Sequence, residues 1–478
     1  MPLPTILSGN VASALPSGYT VDNSCRFSGS DDRLVRDATG TSTESNNKWT
    51  FSCWVKRGKL GAEQMLVDHR SSGSAQFNIR FMSDDSLQAY DVVGGSVLMQ
   101  KDTTAKYRDP SAWMHILWSS DRSISSPTTK LWVNGTEVTS WATDNEYSQD
   151  DTGTANSDAP TWIGEENSSG SNFEGYLAEM VWLDGTFVSG ATDFGEFDTD
   201  GSPTIWKPKD VSALTFGTNG FYLDYEDSSN LGNDANGGTD LTEVNIAAVD
   251  QALDSPTNNF CTMNPLDNYR FASTFTQGNN TVATGASTQH FNIATMGVST
   301  GKWCWEVYSR SLAGAGYFQI GIVGDNVAGG SSSYTIGDSA YQYGWKQDTG
   351  AVRNNSSNAS YGSAYQSTGI IIGVYLDLDN NKLYFTKDGT IENSGTGVSI
   401  TAASSTPNGF YLPAIGDNSS NSGTVDFNFG ATPFGDTAIS SGNTDGEYGN
   451  FEYTTTITGD GSSKTFKALC TKNLAEYG

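Results

Sequence analysis

Two carboxylates on one face of a β-strand can act as acid and nucleophile on a glycosidic bond. Alternate strand residues point oppositely, so such a pair needs spacing i, i+2 or i+4. Glu174 and Glu179 are five apart, and Glu165 and Glu166 are adjacent, so both pairs fail. Asp224 and Glu226 pass, but they open an acidic loop, Asp224-Tyr225-Glu226-Asp227-Ser228-Ser229-Asn230, with no second strand signal to hold a catalytic pair rigid. A solvated turn explains that loop. Its clustered carboxylate and amide oxygens also suit calcium, but no cofactor is expected and no metal ligand set is assigned. Asp377-Leu378-Asp379-Asn380-Asn381 begins like a calcium-binding helix-loop-helix segment. It then has Lys382 where the sharp turn needs glycine, and Asp388 where a bidentate glutamate belongs.

Nucleophilic and metal chemistry have less support still. The three histidines, His69, His115 and His290, are scattered, and His115 lies in the strand pattern Trp113-Met114-His115-Ile116-Leu117-Trp118. Nothing resembles a nucleophile elbow, a phosphate-binding glycine loop or a zinc-binding helix. The five cysteines are widely spaced with no Cys-x-x-Cys. Cys53 and Cys304 sit inside strands, where a thiol is a small hydrophobe. No catalytic residue is assigned.

Binding is the remaining chemistry. Sugar rings stack on aromatic side chains while Asn and Asp read their hydroxyls. Trp141 and Tyr147 stand in the polar stretch Ser140–Ser148, and Tyr361 and Tyr365 in Ser360–Gln366. These four are the candidate ligand-binding residues. Core or inter-domain packing is the competing explanation of each pair.

The elements that must position them are strands. Lys130-Leu131-Trp132-Val133-Asn134-Gly135 and Lys382-Leu383-Tyr384-Phe385-Thr386-Lys387-Asp388-Gly389 are both hairpins, each turning on a dipeptide that tolerates positive φ. Upstream of the first, Phe51, Cys53 and Val55 share one face of a strand, and Ser52, Trp54 and Lys56 the other. Upstream of the second, Trp303, Trp305 and Val307 point one way. With 478 residues, 53 of them Gly, 22 Phe, 21 Tyr and 12 Trp, and no long helical stretch, the chain is all-β and large enough for more than one core. Ile246–Leu253 has helical spacing for two turns at most.

Charge and termini narrow the partners. Twenty-six basic against 54 acidic residues leave a formal charge of -28, which disfavours nucleic acid and anionic membrane and favours solubility in salty water. The opening Met1–Asn10 has neither a basic start nor an apolar core of signal length, so ordinary secretion is not expected. The best apolar run, Ile370 to Leu376, is seven residues and reads as a buried strand, so no membrane insertion is expected.

Five parts are expected: an N-terminal arm (1–24), a first sandwich (25–227), a connector (228–268), a second sandwich (269–434) and a C-terminal tail or docking segment (435–478), whose centre, Asn450 to Thr458, reads as a strand. Phe260-Cys261-Thr262-Met263-Asn264-Pro265-Leu266 and Leu469-Cys470-Thr471-Lys472-Asn473-Leu474 share Cys-Thr-x-Asn. They are expected to be docking straps, adding strands to the N-terminal part of a neighbour or of another subunit.

The residues also carry resemblances. Cys25–Leu34, Trp49–Gly58, Trp113–Ile116, the Lys130 hairpin and Phe173–Glu179 resemble a laminin-G-type, concanavalin A-like lectin domain. Gly301–Val307, Gln319–Val323, Tyr343–Trp345, Ile371–Asp379, the Lys382 hairpin, Phe410–Ile415 and Val425–Gly430 resemble, in order and spacing, a SPRY domain. The fold so implied is two tandem antiparallel jelly-roll β-sandwiches, concanavalin A-like then SPRY-like.

Tandem arrangements of this kind, with a linker such as Pro256–Leu266, resemble virion structural proteins of tailed phages, especially marine ones. The resemblance implies a non-enzymatic tail-fibre, spike or head-surface protein, made in the host cytoplasm and released by lysis. It would be homo-oligomeric, in contact with other virion proteins, and active in host-surface recognition with glycan as the expected ligand. The alternative is a decoration protein that binds only other virion proteins. A polysaccharide depolymerase stands third.

Overall fold

A computed structural model describes residues 6–7, 18–37, 47–167, 170–198, 204–285, 289–312, 318–325, 335–417, 422–431, 434–435 and 437–478. The chain divides into two compact units, Pro16–Thr257 and Met1–Leu15 with Asn258–Gly478. Both are built from antiparallel sheets, and the all-β, two-sandwich class is what the structure has.

The Pro16–Thr257 unit has two eight-stranded sheets. Lys48–Arg57 lies in the middle of one, between Met114–Asp121 and Glu174–Asp184. Its alternation works as the sequence implies. Phe51, Cys53 and Val55 enter the core with Trp118 and Trp182, while Trp54 packs in a separate outer cluster and Ser52 hydrogen-bonds His115 Nε2 at 2.8 Å. Ala191, Phe194, Val211 and Phe216 then cover that outer face, packing with Leu117, Trp132, Val181 and Leu183.

The second sheet runs Trp141–Asn145, Ser96–Thr103, Leu87–Val93, Ala75–Phe81, Gln64–Ser72, Thr161–Ile163, Arg33–Arg36, Thr242–Val244. Phe77, Ile79, Phe81, Leu87 and Ala89 face the core. Its opposite face is polar.

The second unit pairs a seven-stranded with a nine-stranded sheet. Trp303, Trp305 and Val307 line its core. On the other side of the same strand, Cys304 joins Tyr375, Tyr384, Phe451, Ile457, Phe466 and Cys470 in an outer apolar layer supplied largely by the C-terminal tail.

Several segments differ from expectation. The stretch 228–268 is partly strand: Thr242–Val244 and Gln251–Ala252 extend the two sheets of the first unit, and the unit boundary falls after Thr257. The only helical part of Ile246–Leu253 is a single 3-10 turn, Ala248–Asp250, which runs straight into the Gln251–Ala252 strand. In the tail, Thr456–Gly459 forms a hairpin with Ser462–Thr465, and Thr471–Tyr477 is a short helix. The two Cys-Thr-x-Asn segments pair with each other: Phe260 bridges Cys470, and Cys261 N–H donates to the Leu469 carbonyl at 2.9 Å. Both carry residues that bury in one apolar layer, so each is the other's nearest strand partner. Much of the arm 1–24 lies outside the described residues; Ile6–Leu7 pairs in parallel with Met296–Gly297.

Both hairpins turn as the dipeptides require. Asn134 and Gly135 have φ of 47° and 73°, and so do Asp388 and Gly389, the signature of a two-residue turn with both central residues left-handed.

Candidate functional site

The four aromatic candidates do not form a site. Tyr147 is 4% exposed; its hydroxyl donates to Asp91 Oδ2 at 2.7 Å and its ring lies under Arg122, 4.9 Å from the guanidinium. Tyr361 and Tyr365 are buried against Trp345 and Phe385, and the Tyr365 hydroxyl donates to the Trp345 carbonyl at 2.6 Å. None of these three offers a ring face to a sugar. Trp141 is half-buried, packs on Trp118 and lies under the Lys101 ammonium. For each tyrosine a polar partner satisfies the buried hydroxyl, which lets a polar-looking loop bury an aromatic ring.

The carboxylate pairs are likewise structural. A β-bulge lies between Ala178 and Val181, with Glu179 at φ 48°. The extra residue breaks the alternation, and Glu179 accepts from the Tyr222 hydroxyl at 2.8 Å and the Tyr19 hydroxyl at 3.2 Å, Tyr222 being part of the outer cluster. Parity is therefore not what separates Glu174 from Glu179. Distance is: five residues of strand span about 16 Å, well beyond the roughly 5–9.5 Å of a glycosidase pair. Burial pushes each carboxyl up to about 8. Glu165 is held by Arg33 at 2.8 Å, and Glu166 by Arg70. Asp224 Oδ1 accepts from the Glu226 N–H at 3.1 Å within a turn.

Both ring nitrogens of His115 are occupied, by Ser52 Oγ and by Trp206 Nε1–H at 3.2 Å; burial pulls it down to about 3. His69 bonds Thr161 Oγ1 at 3.1 Å and is also pulled down to about 3 by burial. All five cysteines are buried. Among the described residues no cluster of three or more His, Cys, Asp or Glu could hold a metal, and no helix is long and apolar enough to cross a membrane.

What the fold does bring together is the polar face of the second sheet in the first unit. Strand register sets Trp162, Asp68, Asn78, Tyr90, Gln100 and Asn145 side by side across six strands. Gln76 flanks Asn78 on one side. On the other, Arg80, Gln88, Asp102 and Thr143 form a second row. Burial deepens toward the middle: Trp162, Arg80, Tyr90, Gln100 and Asp102 are half-buried, whereas Asp68, Asn78 and Gln88 are buried.

Hydrogen bonds fix these side chains to one another. Arg80 Nε donates to Gln88 Oε1 at 2.8 Å, Gln88 Nε2 to Asp102 Oδ1 at 2.6 Å, and Gln100 Nε2 to Asp102 Oδ2 at 2.8 Å. Arg70 Nε and the Asn167 N–H both donate to Asp68 Oδ2, at 3.1 and 3.0 Å; burial nevertheless raises Asp68 above the ordinary carboxylate range. Arg33 lies over the Trp162 ring at 4.9 Å and Arg80 beside Tyr90 at 5.8 Å. Among the described residues, Asp68 Oδ1, Gln76 Oε1 and both amide atoms of Asn78 have no partner although buried. A prearranged bed of amides, carboxylates and guanidinium groups beside two part-exposed rings can hydrogen-bond a polyhydroxylated ligand and stack against it.

Sequence reasoning passed over this face. Its signal was present in Ala75-Gln76-Phe77-Asn78-Ile79-Arg80-Phe81, where amide and arginine side chains alternate strictly with core residues.

A separate surface cavity of ≈ 260 Å³ is lined by Lys106, Tyr107, Arg108, Asp109, Trp113 and Asn134, among others. Its cations are engaged: Lys106 by Asp84, and Arg108 by Asp85 at 2.7 Å.

The architecture is that of two antiparallel β-sandwiches, and the family comparison agrees. Residues 28–189 match the Laminin_G_3 family of the concanavalin A-like lectin/glucanases superfamily, and residues 302–432 match the SPRY domain. Among solved structures, the SPRY domain of human HERC1 is similar at 16% identity over 34% of this chain and 96% of that one, TM-score 0.29. A candidate carbohydrate-binding protein from Bacteroides ovatus is similar at 15% identity over 48% of this chain and 60% of that one, TM-score 0.31. A pentraxin from Limulus polyphemus is similar at 14% identity over 35% and 78%, TM-score 0.27. No curated protein sequence matches.

Proposed function

We propose that this chain is a non-enzymatic carbohydrate-binding protein whose ligand sits on the polar face of the Ala75–Phe81 sheet. One observation carries the reading: on the outer face of the first unit's other sheet Ala191, Phe194, Val211 and Phe216 form an apolar cover, while this face presents the polar row from Trp162 to Gln100, with unpartnered polar atoms at its centre. The concanavalin A-like match of residues 28–189 supports it. The separation of the Glu174 and Glu179 carboxylates favours binding over hydrolysis.

The same proposal extends to a setting. The tandem arrangement resembles tailed-phage virion proteins, so the chain would act in host-surface recognition as a homo-oligomer on the particle, among other virion proteins, reaching it by assembly in the host cytoplasm and release by lysis. The net charge of -28 suits a particle in salty water.

A glycan array with the full chain tests the binding. Tyr90→Ala and Gln100→Ala are each expected to weaken the best ligand at least tenfold with the melting temperature held. Undiminished binding by both variants overturns the assignment to this face, and release of reducing sugar overturns the non-enzymatic reading. Mass spectrometry of purified particles tests the setting.

A further inference from the structure

We infer that this face selects neutral, hydroxyl-rich saccharides over acidic ones, and that Asn78 is the residue that reads them. The inference rests on the face being a carbohydrate site at all.

The charges on the face decide against an anionic ligand. A uronate or sulfate group is best held by a guanidinium free to offer two parallel N–H donors. Here Arg70 is committed to both Asp68 and Glu166 and Arg80 to Glu63 and Gln88, while Arg33, at the Trp162 edge, gives Nη1 to Glu165 at 2.8 Å and keeps its buried Nε unpaired. An incoming anion would instead meet the carboxylates of Glu63, Asp68, Asp102 and Glu166.

The unpartnered atoms say what does fit. Asp68 Oδ1, Gln76 Oε1 and Asn78 Oδ1 are acceptors awaiting donors, and Asn78 Nδ2 is a donor awaiting an acceptor. Asp68 and Asn78 are direct cross-strand partners, with Cβ atoms about 4.5–5.5 Å apart, and Gln76 is two residues from Asn78 on the same face. The remaining unpartnered donor, Arg33 Nε, lies at Trp162. Hydroxyls both donate and accept, so adjacent hydroxyls of one sugar ring complement three acceptors and an amide donor, as a carboxylate or sulfate cannot.

Asn78 sits at the centre of the set and is 0% exposed. Arg80, two residues along, reaches to the ring of Tyr90, the residue opposite Asn78. A ligand therefore reaches the fully buried Asn78 only when a neighbouring side chain moves aside. A buried amide with neither group paired is unfavourable in the free protein, so removing it should not cost the fold.

The test is calorimetric titration of the full chain with neutral gluco-, manno- and galacto-oligosaccharides against alginate and sulfated galactan oligosaccharides. The expected result is binding in the neutral arm, weakened at least tenfold by Asn78→Leu with an unchanged or raised melting temperature. Should Asn78→Leu melt lower, Gln76→Leu, at a half-exposed position, decides instead, with weakening of several-fold expected. Binding of the acidic arm that Asn78→Leu abolishes overturns the neutral selectivity and leaves the face standing. Binding that survives Asn78→Leu, Gln76→Leu and Tyr90→Ala alike overturns the face itself. Absence of binding by any member of the panel overturns both.

Discussion

Lys56 Nζ lies 2.6 Å from Asp254 Oδ2, and both side chains are 1% exposed. The two residues are 198 positions apart, so the pair ties the end of the first unit's chain to its central strand. Asp254 Oδ1 also accepts from Trp113 Nε1–H at 2.8 Å. Removing one member of such a buried pair strands the other charge. Asp254→Ala should therefore destabilise the first unit by about 3–5 kcal/mol. The double variant Lys56→Met/Asp254→Leu should recover most of that loss. Urea unfolding of the three proteins checks this, and additive losses in the double variant would contradict it.

The matched hairpins give a second expectation. Gly135 and Gly389 both sit at φ 73°, and a Cβ on either would meet an aromatic ring, Trp206 at 2.3 Å and Tyr453 at 2.5 Å. Gly389→Ala should cost about 1–2 kcal/mol for the left-handed backbone, and more if Tyr453 cannot shift. Gly461, also at positive φ (76°) but with open space around it, should show the backbone cost alone when changed to Ala. Thermal melts of the two variants separate the terms.

These features differ in how far sequence alone reveals them. The alternation in Trp49–Lys56 and Lys302–Tyr308 is a local property of a strand, and Asn-Gly and Asp-Gly encode their turns within two residues, so sheets and hairpins were readable. The bulge at Glu179 was not, because it depends on how Glu174–Asp184 must bend to pair with Lys48–Arg57 on one side and Phe221–Leu223 on the other. Nor was the burial of Tyr147, whose partner Asp91 is 56 residues away. The polar face of Asn78 is intermediate. Its composition is written along one strand, but its meaning appears only when register sets Asp68 and Tyr90 on either side.

Three buried glutamates predict an unusual pH dependence. Burial raises Glu174 and Glu179 to about 8 and Glu306 to about 7, the last despite hydrogen bonds from the Glu452 and Tyr453 N–H groups. In the unfolded chain these carboxyls titrate near the ordinary glutamate value. Between the two values the folded protein holds protons that the unfolded chain has lost, so their contribution is full at low pH and is lost as pH rises through 7–8. The melting temperature should rise as pH is lowered from 9 toward 5. Glu179→Gln and Glu306→Gln should flatten that rise, and calorimetry across the range measures it.

The C-terminal tail provides the last prediction. A detachable docking strap would leave its host fold nearly unchanged when weakened. The structure instead builds the tail into the second unit. Leu474 is 1% exposed within the main core, Phe466 and Cys470 complete the outer layer, and Asn473 Nδ2 donates to the carbonyls of Glu447 and Ala468 at 2.9 and 3.0 Å. Leu474→Ala should therefore cost about 2–5 kcal/mol, the range for emptying a packed leucine site. Lys472→Ala, at a half-buried position two residues away, should cost far less. Deleting Ala468 to Gly478 should unfold the second unit or leave it aggregation-prone, since it removes Leu469 and Leu474 from the main core and the Cys470 partner of Phe260. Denaturant titration of the point variants and size-exclusion chromatography of the truncation make the comparison. A truncated protein that stays monomeric with unchanged stability would restore the strap.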